Sequence, residues 1–375
     1  MVRIGRYLSV SVDFKRRALS LPALVSLALA TAFLIFLVSR FDVDLDVTWS
    51  QIRGSSPWLL AAAVLVHYTT FFFRGARWRL LLLNAQTNAQ LRQNADALPN
   101  ASELGIQEPV QTSGEIPGIV YCSQLVLLGW FANAVGWLRV GDAYRAYLYR
   151  EDQNASFSRT IGTILAERVA DTLLVLVLLA IAVPFLIKSG GSAAWAVLAV
   201  AAALFMVLAI VLVAMTWSSH WMLRTLPTWL AERYLRFQQG TLGSFGPITF
   251  RSVVPITLLG LLGWMAEVGR LYLVVEALGL DLGFPLIIFL TLANSLLTLV
   301  PTPGGFGAVE PGVAGLAVRL SSITVGLAAA LVVVDRAITY LSIIVVGAGL
   351  FLWRQVVKRR SQSRAAVLLT PKDDR

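Results

Sequence analysis

Eight stretches of this chain are apolar over lengths near or beyond the roughly 18–20 residues a helix needs to cross a bilayer. They lie near residues 19–39, 57–83, 119–138, 160–187, 192–216, 252–279, 284–300 and 322–353. A soluble core absorbs one or two such runs, not this many. Composition agrees, with 57% hydrophobic residues, 14% charged residues and a mean hydropathy of +0.73. The expected fold class is therefore an all-α polytopic membrane protein.

The formal charge of +10 is concentrated at the two ends. Arg3, Arg6, Lys15, Arg16 and Arg17 precede the first apolar run, which is too long for a signal-peptide core and lacks an A-x-A site. It reads as a retained first span. Arg354, Lys358, Arg359, Arg360, Arg364, Lys372 and Arg375 follow the last run. Basic clusters beside spans fix orientation and attract anionic lipid at the cytoplasmic face. Both termini are thus expected in the cytoplasm, with the chain a multi-pass protein of the cell (plasma) membrane. Because the basic residues flank spans, no nucleic-acid partner is expected. The lone Cys122 allows no internal disulfide, and His67 and His220 have no partner at ligand spacing. They read as interfacial or packing residues, and no metal or cofactor is expected.

Counting every apolar run as a simple crossing puts the loop 217–251, with Arg224, Arg233, Arg236 and Arg251, outside. That offends the preference of positive loops for the cytoplasm. The conflict vanishes if 119–150 and 284–320 enter the membrane from opposite sides and return. About six full spans and two re-entrant helical hairpins remain, in an inverted-topology repeat. Loops 40–56, 188–191 and 276–283 then face out, while 84–118, 217–251 and both termini face in. Pro301-Thr302-Pro303-Gly304-Gly305 cannot continue a helix, since proline lacks an N–H and glycine favours other geometries. It reads as a break between half-helices, with Gly307 leading into a helix whose N-terminus carries partial positive charge. Gly136, Arg139 and Gly141 make a weaker break in the first hairpin. A surface loop between ordinary spans is the alternative. The tract 86–117, rich in Asn, Gln, Pro and Gly, reads as a flexible cytoplasmic insert.

The two hairpins belong to stretches that look like one piece of machinery written twice. Asn133 leads through Gly141-Asp142 to Glu167-Arg168; Asn294 leads through Gly304, Gly305, Gly307 and Glu310 to Asp335-Arg336. Upstream sit Arg77 and Arg270, each at the end of an apolar run and at similar distance once the insert is discounted. Duplicated charges inside apolar sequence are how many transporters are built, with repeats meeting at a midplane site. The expected organisation is a basic tail, first span and external loop over 1–56, a first repeat over 57–216 carrying the insert 86–117, a cytoplasmic loop and second repeat over 217–353, and a basic tail over 354–375.

Ionisable groups within spans are costly and usually face a bundle interior or a water-filled cavity. Glu167 and Asp171 share one helix face while Arg168 is turned from them by ~100°, so each needs a partner from elsewhere. The expected pairs are Arg168 with Asp142 and Arg336 with Glu310, leaving Arg139 or Arg145 available for a ligand. An arginine fork suits phosphate. Asp171 and Glu267 read instead as members of fixed ion pairs. The tryptophans, including Trp78, Trp130, Trp137, Trp217, Trp221, Trp264 and Trp353, read first as interfacial anchors.

Four segments in order carry a family resemblance: Arg74-Gly-Ala-Arg77-Trp78-Arg79-Leu, Arg139-Val-Gly141-Asp142-Ala-Tyr-Arg145, Glu167-Arg168-Val-Ala-Asp171 and Pro301-Thr-Pro303-Gly304-Gly305-Phe-Gly307-Ala-Val-Glu310. Over about 57–353 the chain resembles the flippase-like transmembrane region of the lysylphosphatidylglycerol synthase family. The resemblance implies movement of a lipid between leaflets, with an aminoacylated phosphatidylglycerol as substrate in the best-known members. Related regions accompany glycosyltransferases that use polyprenyl-phosphate sugars. The chain ends soon after its last span, so the aminoacyl-transferase domain of full synthases is expected to be absent, and the insert looks longer than the family usually carries.

The expected function is a lipid flippase or scramblase for a membrane phospholipid or a polyprenyl-phosphate-linked lipid, and no enzyme activity is expected. No G-x-x-x-x-G-K-[ST] loop occurs, so the energy would come from the membrane potential, a proton on a carboxylate such as Glu167, or nothing. The alternatives are an accessory protein partnering a synthase or glycosyltransferase, and a membrane-embedded lipid headgroup enzyme.

Overall fold

A computed structural model describes residues 45–96, 115–136, 139–187, 192–225, 227–246 and 250–369. The first apolar run at 19–39, most of the insert (97–114), the loop 188–191 and Trp137 lie outside the described residues. Twelve α-helices occur among those described. The first four are α1 (Leu45–Gly54), α2 (Pro57–Asp96), α3 (Ile119–Val135) and α4 (Gly141–Gln153). Next come α5 (Phe157–Ile187), α6 (Ser192–Thr225), α7 (Thr228–Phe245) and α8 (Phe250–Ala277). The last four are α9 (Phe284–Leu297), α10 (Val309–Leu320), α11 (Val325–Arg336) and α12 (Ser342–Leu369). The protein is an all-α polytopic membrane protein.

Length separates the helices into two kinds. Five apolar stretches are long enough to cross a bilayer: Pro57–Leu91, Phe157–Leu186, Ala194–Thr216, Val253–Ala277 and Val325–Lys358. By contrast α3 and α9 are apolar but have 17 and 14 residues. At 1.5 Å per residue they reach only ~25 and ~21 Å, short of the ~30 Å hydrocarbon core. Each is followed by a second short helix, α4 or α10, so 119–153 and 284–320 are hairpins. Both segments are helical hairpins too short to cross as single helices, a shape compatible with re-entry.

The two halves share an element order. A long helix (α2 or α8) precedes a hairpin, and a second long helix (α5 or α11 with α12) follows. Helix α2 packs along α8. Each hairpin also reaches the other half: α9 lies on α5, and α3 lies on α12. One apolar core gathers α5, α8, α9, α10 and α11, including Leu179, Val274, Phe289, Leu290 and Leu331. A second gathers α2, α3 and α4, including Trp78, Leu125, Leu128 and Ala146. Helix α6 has the highest mean hydropathy of the spans, 3.1, yet only 6% of it is buried inside the protein. Val200, Met206, Val207, Ile210 and Val213 point outward. In water that face would be untenable; in hydrocarbon it is the expected surface.

Three tracts read as loops are helical. The beginning of the insert continues α2 to Asp96, because its polar face is docked: Asn84 Nδ2 donates to Ser244 O at 3.1 Å and Asn88 Nδ2 to Gly243 O at 2.8 Å. Those carbonyls belong to α7, which occupies the middle of the tract 217–251. Helix α1 occupies part of the tract 40–56, with Thr48 Oγ1 donating to Gly326 O at 3.1 Å. Tertiary partners outweigh the weak local propensity in each case.

Candidate functional site: a cavity between two hairpins

Both hairpin turns are irregular backbone between apolar helices, and their polar groups find partners within the protein. In the first turn, Gly136 N donates to Ala132 O at 2.9 Å, and Gly141 N donates to Asn133 Oδ1 at 2.7 Å. The helices cross so closely there that a Cβ on Gly141 would sit 1.9 Å from Gly129 O. Between them Arg139 holds a positive φ of 52°, an uncommon conformation for a side-chain-bearing residue. Its Nη1 donates to Thr298 O at 2.7 Å, a carbonyl freed at the C-terminus of α9 in the other hairpin.

The second turn is built around Pro303, the start of a 3₁₀ turn, and three glycines with positive φ: Gly304, Gly305 and Gly307. A Cβ on Gly304 would lie 2.4 Å from the Tyr340 ring. Gly307 N donates to Glu310 Oε2 at 2.7 Å, which anchors the first turn of α10. Arg336 closes the structure, giving Nε to Glu310 Oε1 at 2.7 Å and Nη2 to Gly304 O at 2.9 Å. Tyr340 stacks beside Arg336 and donates its hydroxyl to Ala134 O at 3.0 Å, across to the first hairpin. It lies in a π-turn at Ala337–Leu341, a rare distortion that re-aims one turn of a helix.

Both expected pairs between hairpin and long helix are present. Arg168 donates to Asp142 through Nε at 3.0 Å and Nη2 at 2.6 Å, a bidentate fork. Asp142–Arg168 and Glu310–Arg336 each span 26 residues, so the two pairs occupy matching places in their halves.

Behind them lies a drier layer. Arg77 bridges Glu167 (3.3 Å) and Asp171 (2.8 Å), and Arg145 meets Glu167 at 2.6 Å. Glu167 therefore takes two guanidiniums while its neighbour Arg168 turns away, as the ~100° step per residue requires. In the other half Arg270 bridges Glu267 and Asp335. Arg145 was a candidate for ligand binding; its guanidinium is instead occupied by Glu167 and lies over the Trp78 ring at 4.5 Å. Asp171 and Glu267 are members of fixed pairs, as read. His67 is a packing residue, fully buried against the Phe71 and Trp130 rings with Nδ1 3.5 Å from Glu267 Oε1.

Between the hairpins lies a partly open cavity of about 200 Å³. Arg139, Arg168, Asp171, Arg270, Asn133, Asn294, Gly304 and Arg336 line it. Arg77, Arg145, Glu167 and Asp335 stand outside the lining and hold it from behind, while Asp142, Gly307 and Glu310 brace its walls. The two asparagines are not equivalent: Asn133 caps α4, whereas Asn294 Oδ1 is buried without a hydrogen-bond partner among the described residues. Arg74, Trp130 and Trp264 also belong to the site. Arg74 pairs with Asp171 at 3.1 Å between the two indole rings, at 5.3 and 5.2 Å. Trp78, Trp130 and Trp264 are thus packing partners of buried arginines rather than interfacial anchors. Arg74 was visible in outline, since it lies three residues before Arg77 and so on the same helix face.

Comparison with known proteins places this arrangement. Residues 23–347 match the family described as the lysylphosphatidylglycerol synthase TM region. A UPF0104 membrane protein of Methanocaldococcus jannaschii is 28% identical over 228 residues, covering 59% of this chain and 93% of that protein. A UPF0104 membrane protein of Methanothermobacter thermautotrophicus is 36% identical over 124 residues, 32% of this chain and 37% of its own. The glycosyltransferase AglD of Haloferax volcanii is 25% identical over 191 residues, 51% of this chain and 25% of its own. With the match spanning most of the chain, this protein belongs to the lysylphosphatidylglycerol synthase transmembrane-region family.

Proposed function

We propose that the protein moves a phospholipid or lipid-linked phosphate between leaflets, with the headgroup passing through the cavity between the hairpins and the acyl chains remaining in the bilayer. The observation that carries this reading is the matched pair of arginine–carboxylate forks, Arg168–Asp142 and Arg336–Glu310, facing one cavity from two halves of the chain. Each fork can exchange its carboxylate for a phosphate oxygen without leaving the guanidinium bare. Two copies in opposite orientation, 57–216 and 217–353, would offer one fork to each leaflet in turn. Both termini would lie in the cytoplasm.

The test is translocation in liposomes of headgroup-labelled lipids, followed by chemical quenching from outside. Wild-type protein should make label accessible beyond the outer-leaflet fraction, and Arg168→Ala and Arg336→Ala should each abolish that excess while folding normally. Equal quenching with and without protein, for phospholipids and lipid-linked sugar phosphates alike, rejects the reading. A second reading has its own support in the name of one relative, a glycosyltransferase: the protein would present a lipid-linked substrate to such an enzyme without transporting it. Retained partner activity in the two arginine variants would favour that role.

A further inference from the structure

The charges around the cavity balance except at one residue. Six arginines there have a carboxylate partner: Arg74, Arg77, Arg145, Arg168, Arg270 and Arg336. Six carboxylates answer them: Asp142, Glu167, Asp171, Glu267, Glu310 and Asp335. Six against six leaves the network neutral. Arg139 is the seventh cation, and among the described residues no carboxylate comes within salt-bridge distance of it. Among the described residues its guanidinium donates to the Thr298 carbonyl, a dipole rather than a charge.

Position makes this surplus selective. Arg139 lines the cavity at the tip of the first hairpin, as do the fork arginines Arg168 and Arg336. The bond to Thr298 O at 2.7 Å holds the guanidinium there. A partly buried surplus cation is neutralised best by one negative charge on the ligand, and among the described residues no second unpaired cation lines the cavity to answer another. A neutral or zwitterionic headgroup would leave the surplus unbalanced.

We propose that Arg139 sets the specificity of the cavity for a headgroup of net charge −1, a phosphodiester, over zwitterionic and dianionic phosphates. This rests on the reading of the cavity as the headgroup path, but it concerns recognition and is tested by binding. The probe is fluorescent acyl-labelled phosphatidylglycerol bound to the purified full chain in detergent. Its competitors are unlabelled phosphatidylglycerol, phosphatidylcholine, and the acyl-free diester glycerophosphoglycerol.

Wild type should prefer phosphatidylglycerol to phosphatidylcholine by about tenfold, equivalent to about 1.4 kcal/mol. Arg139→Gln should compress that preference to within about threefold, about 0.65 kcal/mol, while Arg139→Lys, which keeps the charge, should retain most of it. No preference in wild type, or a preference undiminished in Arg139→Gln, overturns the proposal even if transport is observed. Preserved charge selection without transport in the same preparations overturns the transport reading and upholds this one. If glycerophosphoglycerol competes as well as the lipid, the diester rule stands and the lipid as its source is overturned.

Discussion

Glu167 and Asp142 are acidic residues at two depths of one ion network, and replacing each by its amide should give opposite phenotypes. Glu167, Arg77 and Arg145 are 1%, 1% and 3% exposed at the side chain. Glu167→Gln keeps the shape but strips Arg145 of its carboxylate and leaves Arg77 with Asp171 alone. Breaking a buried pair by removing one partner costs about 3–5 kcal/mol, because the charge left behind is uncompensated. Asp142 and Arg168 are 31% and 29% exposed, and water reaching the cavity screens Asp142→Asn to about 1 kcal/mol or less. A kcal/mol moves Tm by about 2 °C in chains of this size or somewhat smaller. Unfolding of the purified protein in detergent, followed by intrinsic fluorescence, should therefore fall by roughly 6–10 °C for Glu167→Gln and about 2 °C for Asp142→Asn. Asp142→Asn should nevertheless lose translocation. Adding Arg145→Leu to Glu167→Gln should recover part of the lost stability, since no orphaned charge remains at that site. Equal shifts for the two amides, or a Glu167→Gln protein as stable as wild type, would refute this division into a structural layer and a working layer.

Two further substitutions test the hairpin supports. Gly304→Ala meets both a positive φ and the Tyr340 ring at 2.4 Å; in a Tyr340→Ala background the clash is gone but Gly304→Ala should still cost about 1–2 kcal/mol of backbone strain, so a double variant as stable as Tyr340→Ala alone would contradict the assigned strain. Trp78 is fully buried and donates Nε1 to Thr163 Oγ1 at 3.1 Å; Trp78→Phe should destabilise by about 1–3 kcal/mol through the lost hydrogen bond and lost volume, and an unchanged melting curve would show that the contact is dispensable.

The sequence revealed the hairpins because their causes are local. Pro301, Pro303 and the glycines at 304, 305 and 307 forbid a continuous helix whatever surrounds them. The forks were legible for a related reason: Asp142–Arg168 and Glu310–Arg336 recur at one spacing, and adjacent Glu167 and Arg168 cannot share a target. The deeper layer was less legible because the copies diverge in charge. Arg74 and Glu267 hold the same place, three residues before Arg77 and Arg270, with opposite sign. Asp171 and Thr339 correspond in the same way, four residues after Glu167 and Asp335. Arg145 matches Val313, so pattern alone gave no reason to spend it on Glu167. Long-range docking was hidden altogether: nothing in Asn84 or Asn88 announces the α7 carbonyls that extend α2, and nothing in Tyr340 announces the turn of the opposite hairpin.

That cross-contact implies that the two hairpin tips move as one. Arg139 of the first holds Thr298 O of the second, and Tyr340, beside the second, holds Ala134 O of the first. Both bonds close one interface from opposite sides, each satisfying a carbonyl left free at a short helix's end. Removing either donor should cost about 1 kcal/mol, or up to about 3 kcal/mol where the carbonyl stays buried. If one bond holds the tips in register for the other, losing the first should weaken the second. The double variant Arg139→Gln, Tyr340→Phe should then lose less stability than the sum of the single losses, by at least about 0.5 kcal/mol. A chemical-unfolding cycle in detergent measures this directly. Strict additivity would mean that the hairpins are held independently, and that a headgroup displacing Arg139 from Thr298 leaves the second turn undisturbed. Coupling would mean that the same displacement loosens Tyr340, so binding at one hairpin tip releases the other.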